Sequence, residues 1–169
     1  MEKLSGDYIA GFVDGEGCFA LNFRRDIRHE RKNKPIYFIW KPQFAIMLRG
    51  DDIEILEKIK LTLDCGSVIK TSKGFARYQV TDVNDLIIKI IPFFQKHKLH
   101  AKKRLDFELW VESVIIIARN KRTQVNVEKG RRGFTKTEWN PTDLARLEKI
   151  QEEMRQYKGR VKPWKWLKI

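Results

Sequence analysis

The chain predicts an α+β domain: four antiparallel strands with helices on one face, in the order α-β-β-α-β-β-α. Three features lead there. Two stretches with apolar residues at every second position are separated by a short charged connection. Two further strand-like stretches meet at Lys73-Gly74, a hairpin signature, and each pair of strands is followed by residues at helical spacing.

The opening helix spans Leu4 to Val13, with Ile9, Phe12 and Val13 apolar and Ser5 or Asp7 available to start it. Gly11 and Gly15 sit inside that helical pattern, where each glycine costs about 0.5–1 kcal/mol relative to alanine. Four residues apart, they share one helix face and let another backbone come close. The segment ends on Glu16 beside Gly17. A helix C-terminus is partially negative, so a carboxylate there is disfavoured unless a cation is near. A local cost without a local return marks a site. The expectation is a helix that packs on a partner helix and presents Glu16 to a metal ion.

From Cys18 to Arg28 the chain alternates, with Phe19, Leu21 and Phe23 on one face and Ala20, Asn22, Arg24 and Asp26 on the other. Arg25 to Lys34 is a charged connection. The second strand sets Ile36, Phe38, Trp40, Phe44 and Ile46 against Tyr37, Ile39, Lys41, Gln43 and Ala45, and Pro42 marks an edge or bulge. Arg49-Gly50-Asp51-Asp52 turns the chain into a helix capped by Asp51 or Asp52, with Ile53, Leu56, Ile59 and Leu63 at core spacing. Strands over Ser67–Ser72 and Phe75–Thr81 follow. Val68, Lys70 and Ser72 oppose Ser67, Ile69 and Thr71, while Arg77 and Gln79 oppose Ala76, Tyr78 and Val80. Asp82 or Asn84 caps a helix through Leu86, Ile87, Ile90 and Ile91 that Pro92 ends or kinks. Another helix runs from Lys102 to Arg119 on Leu105, Leu109, Val111 and Val114 to Ile117. Residues 1–119 thus form the core domain, and 120–169 a basic loop and C-terminal helix and tail. Asn120 to Lys136 is a loop or arm carrying six cations against one acid, Glu128; Pro141 to Tyr157 is helical; the end is basic and aromatic. No internal repeat is present.

Charge narrows the partners. Thirty-five Lys and Arg against 22 Asp and Glu give +13, which favours nucleic acid and, more weakly, an anionic membrane surface. The absence of any run of 18 apolar residues argues against a membrane-spanning helix, and the first residues lack the apolar core of a signal peptide. Cys18 and Cys65 offer neither a disulfide framework nor zinc spacing, and are expected as buried thiols in a reducing, intracellular compartment; His29, His97 and His100 are too scattered for a zinc centre. With helices on the apolar face, the other face of the sheet presents Asn22, Arg24, Lys41, Gln43, Lys70, Ser72, Arg77 and Gln79, with Arg28 at the end of the first strand. Such a ribbon can enter the major groove of DNA, where these side-chain types meet base edges.

The run Ile9-Ala10-Gly11-Phe12-Val13-Asp14-Gly15-Glu16-Gly17 resembles the nine-residue motif of the LAGLIDADG homing endonucleases, DNA-cleaving enzymes encoded in introns or inteins. The element order is similar to that family's fold over roughly residues 5 to 118. The resemblance implies a site-specific double-strand DNA endonuclease acting on a long pseudo-palindromic target. Its metal would be held by Glu16 and the Gly15 carbonyl: Mg²⁺, with Mn²⁺ substituting and Ca²⁺ binding without cleavage. A single motif implies a homodimer through Gly11, Phe12 and Gly15. Lys102 and Lys103 match the pattern of a catalytic lysine, Lys102 first; Leu48 and Arg49 stand where some members carry glutamine. Asp14 reads as structural. The alternative is an RNA-splicing maturase or a non-cleaving DNA-binding protein on the same fold.

Overall fold

The computed structural model describes residues 2–27, 36–120, 122–125, 134–137 and 139–157. They form two compact units, 1–118 and 119–169. In the first, Ser5 opens α1 (Gly6–Glu16), its side chain accepting from the Tyr8 N–H at 3.3 Å. The helix runs on past Val13 and ends on Glu16, as the argument from a carboxylate at its C-terminus expects. β1 (Gly17–Ile27) follows with no residue between and pairs antiparallel with β2 (Ile36–Arg49), Gly17 opposite Ile46. A 3₁₀ turn, Gly50–Asp52, leads into α2 (Ile53–Leu63). Neither aspartate caps α2 through its side chain; the Asp51 carboxylate instead accepts from the Arg49 guanidinium at 2.7 Å.

β3 (Ser67–Lys70) and β4 (Phe75–Val80) form the expected hairpin, and β4 lies beside β2, so the sheet order is β1-β2-β4-β3, antiparallel throughout. Gly66, at φ +76°, lies where a Cβ would meet the Gln79 carbonyl oxygen at 2.6 Å, so only glycine brings the chain out of α2 against β4. Asp82 then accepts from the N–H groups of Asn84 and Asp85 and opens α3 (Val83–Asp85), which passes through a π segment (Leu86–Ile90) into α4 (Ile91–Lys96). Pro92 therefore does not end the helix. It falls in the first turn of α4 directly after the widened π turns, where its missing N–H is absorbed locally.

The core sits between the inner face of the sheet and the helices. Phe19, two residues into β1 and fully buried, has its ring centroid 5.0–5.6 Å from those of Phe44, Phe94, Phe107 and Trp110. α5 (Lys103–Arg119) buries Phe107, Trp110, Val114 and Ile117 as its stripe. Leu105, Leu109 and Val111 are only half-buried and Ile115 is exposed. This helix is apolar on several sides, so spacing alone leaves its phase open; the two large aromatic rings settle it.

In the second unit, Asn120 to Lys136, expected as a loop or arm, contains a hairpin of β5 (Arg122–Val125) and β6 (Phe134–Thr137). α6 (Pro141–Tyr157) has the expected bounds and buries Leu147, Ile150 and Met154. Its first turn is anchored by Asp143, which accepts from Arg119 Nε at 2.8 Å, from Arg119 Nη2 and from Asn120 Nδ2 at 2.9 Å. The Arg119 guanidinium holds the Asp143 carboxyl below the usual carboxylate range, against the opposing effect of burial. Among the described residues no helix is long and apolar enough to cross a membrane.

Candidate metal centre and nucleic-acid interface

The site begins where helix becomes strand. The Gly17 N–H donates to the Val13 carbonyl, and a Cβ on Gly17 would lie 2.5 Å from Val13 Cγ1 and 2.8 Å from Val13 O. Nothing larger than glycine permits this abrupt passage, and it leaves Glu16, exposed, as the last helical residue. The cation that a carboxylate at a helix C-terminus requires is present: Lys103 Nζ donates to the Gly15 carbonyl at 3.2 Å and to the Gly17 carbonyl. Of the two expected lysines it is Lys103 that reaches this junction. Lys102 stands one residue before α5 with an exposed side chain.

These donors fit a divalent cation. Two carbonyls already turned toward a cation stand beside an exposed carboxylate, and hard oxygen ligands of this kind suit Mg²⁺ or Ca²⁺. Among the described residues no group of three or more His, Cys, Asp or Glu could hold a metal ion.

Two aspartates, one near each end of α1, tie the helix to the segment between α4 and α5. The His100 N–H donates to Asp14 Oδ2 at 2.7 Å, and Asp7 Oδ1 lies 2.7 Å from His97 Nδ1. A Cβ on Gly6 would meet the His97 ring at 2.3 Å, so the helix start packs directly on that ring. Asp14 is thus structural, as its position suggested. The roles of His97, His100 and Asp7 were invisible in the sequence, because their partners lie some 86 to 90 residues away.

The opposite side of α1 is open. A Cβ on Gly11 or on Gly15 would meet nothing within 4 Å. Tyr8, 49% exposed, stacks on Phe12 with centroids 6.1 Å apart on the same side of the helix. Among the described residues nothing packs against Gly11 or Gly15 closely enough to require glycine there.

The sheet turns its outward face away from the helices. Register places Cys18 beside Ala45, Ala20 beside Gln43, Asn22 beside Lys41 and Arg24 beside Ile39 on that face. Ala45 stands opposite Gln79 and Met47 opposite Arg77. Asn22, Arg24, Lys41, Gln43, Arg77 and Gln79 are thus on the expected face. Gln43 is buried and donates through Nε2 to Gln79 Oε1 at 3.0 Å. Lys70 and Ser72 are corrections. Lys70 stands opposite Ala76 on the helix-facing side, and Ser72 lies past the end of β3 in the turn. The pairing of Ile69 with Arg77 shifts β3 by one residue relative to the expectation, and in a period-2 element one residue exchanges the faces. Arg28 lies outside the described residues. Leu48 stands opposite the buried Ala76 and faces the helices, while Arg49 faces outward. The cysteines also differ from expectation: Cys18 is exposed on the outward face, and Cys65 is half-buried, its thiol pushed up by burial. The alternation through Phe19 and Leu21 itself places Cys18 on the face of Ala20 and Asn22.

Fold and site define an α+β domain whose first helix places an exposed carboxylate at the start of a sheet whose outward face carries Asn22, Arg24, Lys41 and Arg77. Residues 9–114 match the model of the LAGLIDADG endonuclease family, and the chain belongs to that family. It is 33% identical over 106 residues to a probable intron-encoded DNA endonuclease 1 of Mycosarcoma maydis, covering 63% of this chain and 35% of that protein. It is 29% identical over 113 residues to a probable intron-encoded endonuclease 2 of Neurospora crassa, covering 66% of this chain and 22% of that protein. The chain thus spans about a third or less of these relatives. Among solved structures, it superimposes on the meganuclease I-SmaMI bound to uncleaveable DNA with a TM-score of 0.70 at 25% identity, covering 94% of this chain and 47% of that one. The homing endonuclease I-TnaI shares the fold at a TM-score of 0.67 and 22% identity, covering 95% and 100%.

Proposed function

We propose that the protein is a site-specific double-strand DNA endonuclease using a divalent metal, Mg²⁺ with Mn²⁺ able to replace it and Ca²⁺ binding without cleavage. One observation carries the proposal: the exposed Glu16 carboxylate, the Gly15 carbonyl and the Lys103 ammonium meet at the α1–β1 junction, two residues before the first outward-facing position of the sheet. Glu16 and the Gly15 carbonyl hold the metal, which when bound polarises a phosphate oxygen and makes water a better nucleophile. Lys103, held in place by two carbonyls, places positive charge where the phosphate accumulates negative charge. Asn22, Arg24, Lys41, Arg77 and Gln79 lie on the face that enters the groove. The protein acts wherever its host DNA resides.

The open strip of Tyr8, Gly11, Phe12 and Gly15 takes the same strip of a second copy. A two-fold contact of this kind brings two Glu16 side chains together, which is tolerated only with cations between them, and pairs two sheets on a pseudo-palindromic site. Replacing Glu16 by glutamine removes the charge at constant shape. Mg²⁺-dependent cleavage is expected to vanish while duplex binding persists; cleavage by Glu16→Gln at the wild-type rate would remove Glu16 from the centre. Binding is expected to weaken steeply with salt, by a log–log slope of about −0.9 per phosphate neutralised. A flat response would take the cationic face out of the interface.

A further inference from the structure

We propose that Met47, Arg77 and Ile69 act together as a base-selecting row that prefers thymine methyls flanking a guanine. The proposal rests on the sheet-on-DNA reading above and adds the base chemistry this chain selects. Register places Met47 opposite Arg77 and Arg77 opposite Ile69, all outward, so one cation sits between two apolar side chains across β2, β4 and β3. Met47 is 57% exposed and Ile69 45%; Phe75, two residues from Arg77 along β4 and on the same face, is 44% exposed. At the other end of the face the rows pair Asn22 with Lys41 and Ala20 with Gln43.

Met47, Ile69 and Phe75 are large apolar side chains left in water beside Arg49, Arg77 and Gln79, and they contribute nothing to the core. A cluster of that kind marks a contact surface. The partner must be anionic enough to approach a chain of net charge +13 and still offer small apolar groups between hydrogen-bond acceptors. The major groove does both: guanine presents O6 and N7 to an arginine fork, and thymine presents its C5 methyl to apolar side chains. Strands about 4.8 Å apart put Met47 and Ile69 roughly 10 Å from one another with Arg77 midway. At about 3.4 Å per step this spans close to three base pairs. Lys70, on the other face, does not compete for this segment.

The test begins with duplexes selected by the wild-type protein from a randomised pool. Each thymine of the enriched duplex is then replaced by deoxyuridine, which removes the methyl and nothing else. Two positions within three base pairs around a guanine are expected to lose affinity about fourfold each, the equivalent of one buried methyl group. The Met47→Ala/Ile69→Ala double variant, with its melting temperature and salt slope intact, is expected to be insensitive to uracil at those two positions. Arg77→Gln is expected to level the guanine preference between them. Uracil substitution without effect at every position, or an unchanged uracil profile in the double variant, overturns the proposal while leaving duplex binding standing. A double variant altered only in self-association also overturns it and makes the patch a protein contact. If the wild-type protein binds no duplex in a salt-dependent manner, the sheet-on-DNA reading fails and the row falls with it.

Discussion

Three glycines of one motif are expected to respond to alanine with opposite signs. At Gly11 and Gly15 an added Cβ meets nothing within 4 Å, and both positions are helical. Alanine there removes backbone freedom from the unfolded chain and is expected to stabilise the protomer by about 0.5–1 kcal/mol at each position. At Gly17 the same methyl lies 2.5 Å from Val13 Cγ1 and 2.8 Å from a backbone oxygen, and β-branched valine has little rotamer freedom with which to yield. Gly17→Ala is expected to destabilise by about 1–3 kcal/mol, the range for overpacking a tight site. For a chain of this size, 1 kcal/mol corresponds to roughly 2–4 °C in melting temperature. Thermal unfolding followed by circular dichroism, at concentrations where sedimentation shows monomer, should therefore rise for Gly11→Ala and Gly15→Ala and fall for Gly17→Ala. Sedimentation at higher concentration should show self-association weakened in the two stabilised variants, since two-fold contact counts each new methyl twice. A lowered melting temperature for Gly11→Ala in the monomer, or unchanged association, would refute the assignment of that face to a partner helix.

Two further outcomes are expected. Lys103→Met should reduce cleavage by about 10²–10³-fold, the loss typical of one charge-stabilising group, while Lys102→Met leaves it unchanged; single-turnover nicking assays distinguish the two. The depressed carboxyl of Asp143 contributes stability that is complete above the ordinary aspartate range near pH 4 and is lost as pH falls through its lower folded-state value. Acid titration followed by limited proteolysis of residues 119–169 should show this loss in the wild type. It should be absent in Asp143→Asn, which instead starts weaker at neutral pH.

Much of the fold was legible because it depends on local periods. Alternation around Phe19 and Phe44, the Lys73-Gly74 turn and the helical spacing of Leu56, Ile59 and Leu63 each survive unchanged in the structure. What sequence could not fix was phase and distance. A strand as short as β3 has no preference strong enough to fix its register, which β4 sets, and so Lys70 exchanged faces with Ile69. Whether Pro92 ends or only interrupts its helix was open in the sequence because the π segment beside it involves Leu86 and Ile90, both fully buried. At the site, Glu16 and Gly15 announced themselves through a local energetic conflict. The choice of Lys103 over Lys102 required the bond from Nζ to a carbonyl 88 residues earlier. The ties from Asp7 to His97 and from Asp14 to His100 likewise belong to tertiary structure alone.

The passage from α1 into β1 without a connecting residue has a mechanical consequence. A loop would isolate the sheet from any rotation of the helix, whereas here both are one lever with its fulcrum at Gly17. In the paired assembly proposed above, a change in the angle at which the two helices cross would tilt both sheets by a comparable amount, and with them the arc of duplex they would follow. Grafting this helix onto a foreign partner would therefore alter more than the affinity of the pair. It would change the curvature of the DNA the assembly fits, even with every groove-facing side chain untouched.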